Sequence, residues 1–150
     1  MSKEQLAMDN DFIETRILSV IRKILTEKVN EILQEAQFVI PMIEFGKYSG
    51  ASTVIPVINL STCERTEKER IIRQDAYSLT ISFSLADTPE SEWHCYAYAA
   101  AVSQAVERNP TLDGIVNRAV VTGKKYMPTK NPHCGEGWGL TIALRVTTEQ

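Results

Sequence analysis

The run NPHCGEGWGL, from Asn131 to Leu140, packs a histidine, a cysteine and a glutamate among glycines, and a second His-Cys pair stands at His94-Cys95. Two such pairs would offer a metal four soft ligands. His133, Cys134 and Glu136 would give a small cytoplasmic enzyme or ligand-binding domain a base, a nucleophile and an orienting acid. The spacing argues against both uses. Zinc ligands converge when they are set as CxxC or HxxxH, whereas adjacent residues on a helix project about 100° apart. Cys134 is accompanied by no nucleophile elbow or oxyanion loop, and neighbours in a turn rarely have the geometry of a dyad. A zinc deaminase would need its glutamate two residues after the histidine and a following CxxC; Glu136 falls three after His133. The glycines lead into a strand pattern and not a helix, so they do not form a phosphate loop. The expectation is a protein without catalysis, cofactor or metal, in which the glycines and prolines of this run make a turn.

The elements around that turn follow from periodicity. Asp11 followed by Glu14 has the form of a capping box. Beyond it Ile17, Ile21, Ile24, Leu25, Val29, Ile32 and Leu33 repeat at helical spacing, opposite Arg16, Arg22, Lys23, Glu27 and Glu31. Two similar runs, VIPMIEF from Val39 and VIPVINL from Val54, flank GKYSGAST and read as a hairpin. Pro41 and Pro56 cannot donate to a ladder, which puts that hairpin at a sheet edge or makes it bulged. Tyr77, Leu79, Ile81, Phe83 and Leu85 alternate with serine and threonine as in a half-buried strand. Thr88 and Pro89 then open an alanine-rich helix that ends before Asn109-Pro110. The stretch from Ile115 to Met127 is a further strand. In the last one Trp138, Leu140, Ile142, Leu144 and Val146 share a face, with Thr141, Ala143 and Arg145 on the other. The order α-β-β-β-α-β-β gives an α+β fold, an antiparallel twisted sheet with helices on its apolar face.

Residues 1–150 read as one domain, the first ten loose, and long enough to bury roughly 70% of the unfolded surface. No apolar run reaches the roughly 20 residues that span a bilayer, and MSKEQLAMDNDF lacks a signal-peptide core, so neither membrane nor secretion is expected. Three cysteines without framework spacing suit reduced thiols. With 16 basic residues against 19 acidic ones, the chain has no surplus for gripping phosphate backbones. Its one charged stretch, CERTEKERIIRQDA, cancels internally and reads as a solvated or partner-facing loop. The candidate contacts with other subunits or partners are Pro41, Glu44, Lys47 and Pro56 on the edge hairpin, and Arg65, Lys68, Arg70 and Arg73 in that loop. Arg145, on a polar strand face, joins them as a salt-bridge candidate across an interface.

The alternating strand AYSLTISFSL, the alanine-rich helix after it, the turn NPTLDGIV, the strand VVTGKKYM and the closing GEGWGLTIALRVTTE together resemble the tail terminator proteins of long-tailed bacteriophages, also called minor tail or tail-completion proteins. With the leading amphipathic helix the resemblance covers nearly the whole chain, and it lies in the order of weak strings, none of them catalytic. It implies an α+β subunit of a hexameric ring that caps the tail tube of a phage or prophage, stops its growth and offers a surface for head–tail joining. The implied partners are further copies of itself, the tail tube protein and the head–tail connector, with DNA at most passing through the lumen. The implied location is the virion tail, assembled in the bacterial host cytoplasm. Another head–tail joining protein would share these features.

Overall fold

The computed structural model describes residues 12–45, 53–68, 72–86, 88–131 and 135–149. The apolar repeat at the start becomes one helical rod made of α1 (Ile13–Ile24), a π-helical turn (Leu25–Val29) and α2 (Asn30–Glu35). Ile17, Ile21, Ile24, Leu25, Val29 and Leu33 are buried along it. Phe12 stands at the start of α1 without a side-chain cap; Asp11, expected there, lies outside the described residues. The rod closes with Gln37 in the left-handed region at φ 61°. The Phe38 N–H then reaches the Leu33 carbonyl at 3.1 Å and the Gln37 N–H the Gln34 carbonyl at 2.9 Å. This is the two-bond termination usually built on glycine; a glutamine in this conformation costs about 1–2 kcal/mol.

Four strands form an antiparallel sheet in the order β3-β4-β6-β5: β3 (Val57–Lys68), β4 (Ile72–Ala86), β5 (Arg118–Asn131) and β6 (Gly135–Glu149). The two strictly alternating segments are its central strands. Tyr77, Leu79, Ile81 and Phe83 of β4, and Leu140, Ile142, Leu144 and Val146 of β6, are buried on one face. The rod and α3 (Ser91–Arg108) cover that face. In α3, Ala97, Ala101 and Ala105 are buried, and their short side chains allow the close approach in which Tyr98 stacks on Phe83, ring centres 5.1 Å apart. Thr88 does not cap this helix directly. It exchanges hydrogen bonds with Ser91, the first helical residue, its N–H donating to Ser91 Oγ at 3.1 Å and its carbonyl accepting the Ser91 N–H at 3.1 Å. Among the described residues no helix is long and apolar enough to cross a membrane.

Two expectations need correction. The first is the edge hairpin between VIPMIEF and VIPVINL. The pieces that pair, β1 (Met42–Ile43) and β2 (Thr53–Val54), run parallel and are two residues each. The backbone of Ile43 is already engaged: its N–H donates to Asn30 Oδ1 at 2.9 Å and its carbonyl accepts from Asn30 Nδ2 at 3.0 Å. Asn30, buried in the rod, thus does the work of a strand, and the Tyr98 hydroxyl donates to the Pro41 carbonyl from the other helix. The segment from Phe38 to Phe45 is a strap pinned between helices. The second run breaks at Pro56, which cannot extend a ladder, so it supplies both β2 and the start of β3, and the fold has one strand more than the expected order.

The second correction is the charged stretch. It is not a loop: β3 and β4 pair in register through it, with Arg65 opposite Asp75 and Glu67 opposite Arg73. Facing opposite charges stabilise such a ladder. The result is a long hairpin arm in which residues 61–67 are all exposed. A second arm, β5–β6, has residues 122–128 all exposed. Gln74 of β4 pairs with Glu149 and Ala86 with Gly137, so β4 and β6 stay paired along nearly their whole length. The two hairpins turn at opposite ends of the sheet, with their exposed strands on its two edges.

Candidate functional site

The expected contact residues do not gather in one place. Pro56 is buried and Pro41 half-buried, its carbonyl taken by Tyr98. Burial, with Cys95 nearby, pushes the Tyr98 phenol well above its usual range. Glu44 is half-buried, and its N–H donates to the Val54 carbonyl at 3.0 Å. Lys47 and Arg70 lie outside the described residues, and Lys68 closes β3 opposite Ile72. The structure brings together Arg65 and Arg73, around Asp75. Arg65 grips that carboxylate with both nitrogens of its fork, Nε to Oδ1 at 2.7 Å and Nη2 to Oδ2 at 3.0 Å. The Asp75 side chain is 4% exposed and that of Arg65 53%. Hydrogen bonding from Arg65 holds the Asp75 carboxyl below the usual range, burial opposes this, and the charges of Arg65 and Arg73 add to it. The same contact raises the guanidinium of Arg65. Arg145 is elsewhere: exposed on the sheet face that no helix covers, opposite Ser78 and Val120.

His133 and Cys134 lie outside the described residues, while Glu136 stands in β6 opposite Lys130. The other pair separates as the helix geometry requires. Cys95 is fully buried, and burial pushes its thiol upward. His94 is half-buried and its Nε2 has no hydrogen-bond partner among the described residues. Burial lowers its pKa, with Glu90 acting against the shift. Among the described residues no group of three His, Cys, Asp or Glu side chains converges as a metal site would require.

What periodicity did not reveal is a row of exposed rings. Trp93 is 38% exposed, beside Phe38 at 48%, Tyr96 at 46% and Tyr126 at 37%. Phe38 meets Trp93 edge-on with ring centres 5.8 Å apart, and Tyr96 meets Tyr126 edge-on at 5.1 Å. Trp93 also packs edge-on against His94, and the Tyr96 hydroxyl donates to Glu92 at 2.9 Å. The signal was present: Trp93, Tyr96 and Ala100 repeat at i, i+3 and i+7, a second apolar stripe beside that of Cys95, Tyr98 and Val102. A helix apolar on both sides has one side to give to something else. Elsewhere, along α1, an open hollow of about 510 Å³ is lined by Leu18, Val20 and Ile115 together with Arg16 and Arg22.

No protein-family model matches this chain, and no curated protein matches it. The described residues show exposed edge strands, exposed rings and a cross-strand charge pair.

Proposed function

We propose that the protein is a structural component of a long-tailed phage or prophage tail, a terminator that forms a ring on the end of the tail tube, stops its growth and presents a surface for head–tail joining. The resemblance in order of elements suggests this family and a six-fold ring. The observation that carries the reading is the pair of hairpin arms. Their outer strands form the two edges of the sheet and their turns point to its opposite ends, with residues 61–67 and 122–128 exposed throughout. Ordering such strands costs about 1–2 kcal/mol per residue in backbone entropy, which is a poor investment unless a partner uses them. In this reading the ring is made of copies of this chain, its faces meet the tail tube protein and the head–tail connector, DNA passes through the lumen, and no reaction is catalysed.

Exposed charge pairs contribute about 0–1 kcal/mol each. A free ring held by them is weak, and a tube end that is already symmetric strengthens it by offering many contacts at once. The test is to mix the purified protein with polymerising tail-tube subunits and measure tube lengths by electron microscopy. A terminator binds one end and shortens the length distribution. Tubes that lengthen unchanged would sink the reading.

A further inference from the structure

Two surface features lie at opposite ends of the helical layer. Ile32 and Leu33 of the rod border a groove with Ala97, Ala100 and Ala101 of α3, whereas Ile21, Ile24 and Leu25 meet Val106 and Leu112, near and beyond the other end of α3. The rod and α3 thus run in opposing directions. The start of α3 and the end of the rod share one end of the layer, where Phe38 and Trp93 form a projecting pair, edge to face. Exposed acidic residues lie on the same elements: Glu35, which shares a groove with Phe38, and Glu90 and Glu92 at the start of α3. The hollow beside Arg16 and Arg22 lies toward the other end, with Leu18, Val20 and Ile115 in its wall. Arg16, Arg22 and Lys23 are exposed, and among the described residues none of them has an ion-pair partner.

These two surfaces complement each other: an aromatic knob with an acidic rim, and a part-apolar hollow with basic side chains. We propose that the Phe38–Trp93 knob of one copy seats in the Arg16–Arg22 hollow of the next copy. The inference rests on the reading that copies assemble with one another, and it names the contact. Knob-to-knob pairing would bring the carboxylates of two copies together, a like-charge clash. Pairing through the sheet edges is opposed by the strands themselves. β3 has a bulge between Leu60 and Thr62, β5 one between Val121 and Gly123, and both carry charged residues. These are the devices that keep edges from adding strands. A knob and a hollow at different ends give a head-to-tail contact, which generates a ring if the rotation closes.

Size-exclusion chromatography with light scattering on the full chain tests this. The wild type should self-associate with rising concentration, and less so in high salt. A knob variant, Phe38→Ser with Trp93→Ser, and a hollow variant, Arg16→Glu with Arg22→Glu, should each run at the monomer mass of 16.8 kDa. Circular dichroism should confirm that both fold, since all four side chains are exposed or partly so. An equimolar mixture should give twice the monomer mass and nothing larger, because it contains one usable knob and one usable hollow per pair. Variants that assemble like the wild type, or a mixture that stays monomeric, would overturn this contact and leave the tail reading standing. A wild type that is monomeric throughout also overturns it; if it still binds tube ends, the knob or the hollow is a seat for the tube protein instead. If it fails to stop tube growth as well, both inferences are lost.

Discussion

The β3–β4 and β5–β6 arms share a construction and differ in what ties them down. Each has an edge strand with one bulge, and each bulged residue uses its hydroxyl on the neighbouring strand: Ser61 donates to the Ser78 carbonyl at 3.0 Å, Thr122 to the Ala143 carbonyl at 3.3 Å. The β3–β4 arm is anchored by charge and a buried phenol. Its Arg65 grips Asp75 across the strands, and Tyr77, 2% exposed, reaches Glu14 of α1 at 3.4 Å. The β5–β6 arm is anchored from outside, by Tyr126 lying against Tyr96, and its Lys124 and Lys125 are exposed. Both hairpins place one strand in the core, β4 and β6; they differ in the outer strand, which in the first is held by an ion pair and in the second leans on the helix. Only the outer strand of the second, residues 122–128 of β5, is suited to shift when a partner arrives, because it is exposed there while its neighbour β6 keeps Leu140 and Ile142 in the core.

The anchors give the largest expected difference. Tyr77→Ala removes a buried ring and should cost about 3–5 kcal/mol in denaturant melts, as aromatic truncations in cores do. Tyr126→Ala loses one edge-to-face contact and should cost at most about 1 kcal/mol. Equal losses would mean that the arms are anchored alike.

Acid should separate the arms next. The carboxyl of Asp75 is held below its usual range, so the folded chain binds fewer protons there than the unfolded one. Its stabilisation is complete above the unfolded pKa of about 4 and is lost as pH falls through the lower, folded value. Asp75→Asn should therefore melt below the wild type at neutral pH, and the gap should shrink steadily below about pH 4. A gap independent of pH would mean that the fork contributes packing and not charge. The smallest effects belong to the bulges. Ser61→Ala and Thr122→Ala should each cost under about 1 kcal/mol, and a marked inequality between them would show that one bulge holds its arm in place.

The arms also mark where the sequence was legible. β4 and β6 were, because a strand with one wet face and one dry face must alternate, and Tyr77 to Phe83 and Leu140 to Val146 do so without a break. The rod was legible for the same reason at its own period. The outer half of β3 was not: both of its faces are exposed, so nothing in CERTEK alternates, and its partner is specified by facing charges such as Arg65 and Asp75 that become neighbours only after the chain turns. The pairing of β1 with β2 was hidden because Asn30, far along the rod, takes the hydrogen bonds that a hairpin would have used. The exposed rings were missed because Trp93 and Tyr96 sit in a helix whose other side is truly core, and an apolar residue type does not say which side it is on. The His133-Cys134 half of the opening constellation lies outside the described residues; the His94-Cys95 half comes apart into a buried thiol and a half-buried imidazole.

The strap from Phe38 to Phe45 has a consequence for the order of folding. Its fixed points, Asn30 Oδ1 and Nδ2 and the Tyr98 hydroxyl, belong to two helices that meet only when the core has formed. The strap can be held at all three points only once the rod lies against α3, and its final docking is expected to follow the rate-limiting step. Asn30→Ala should then speed unfolding and leave the folding rate nearly unchanged, a φ-value near zero in chevron analysis. A buried asparagine at the join of a π-helical turn and α2 would thus act on how long the native chain lasts and not on how quickly it is made.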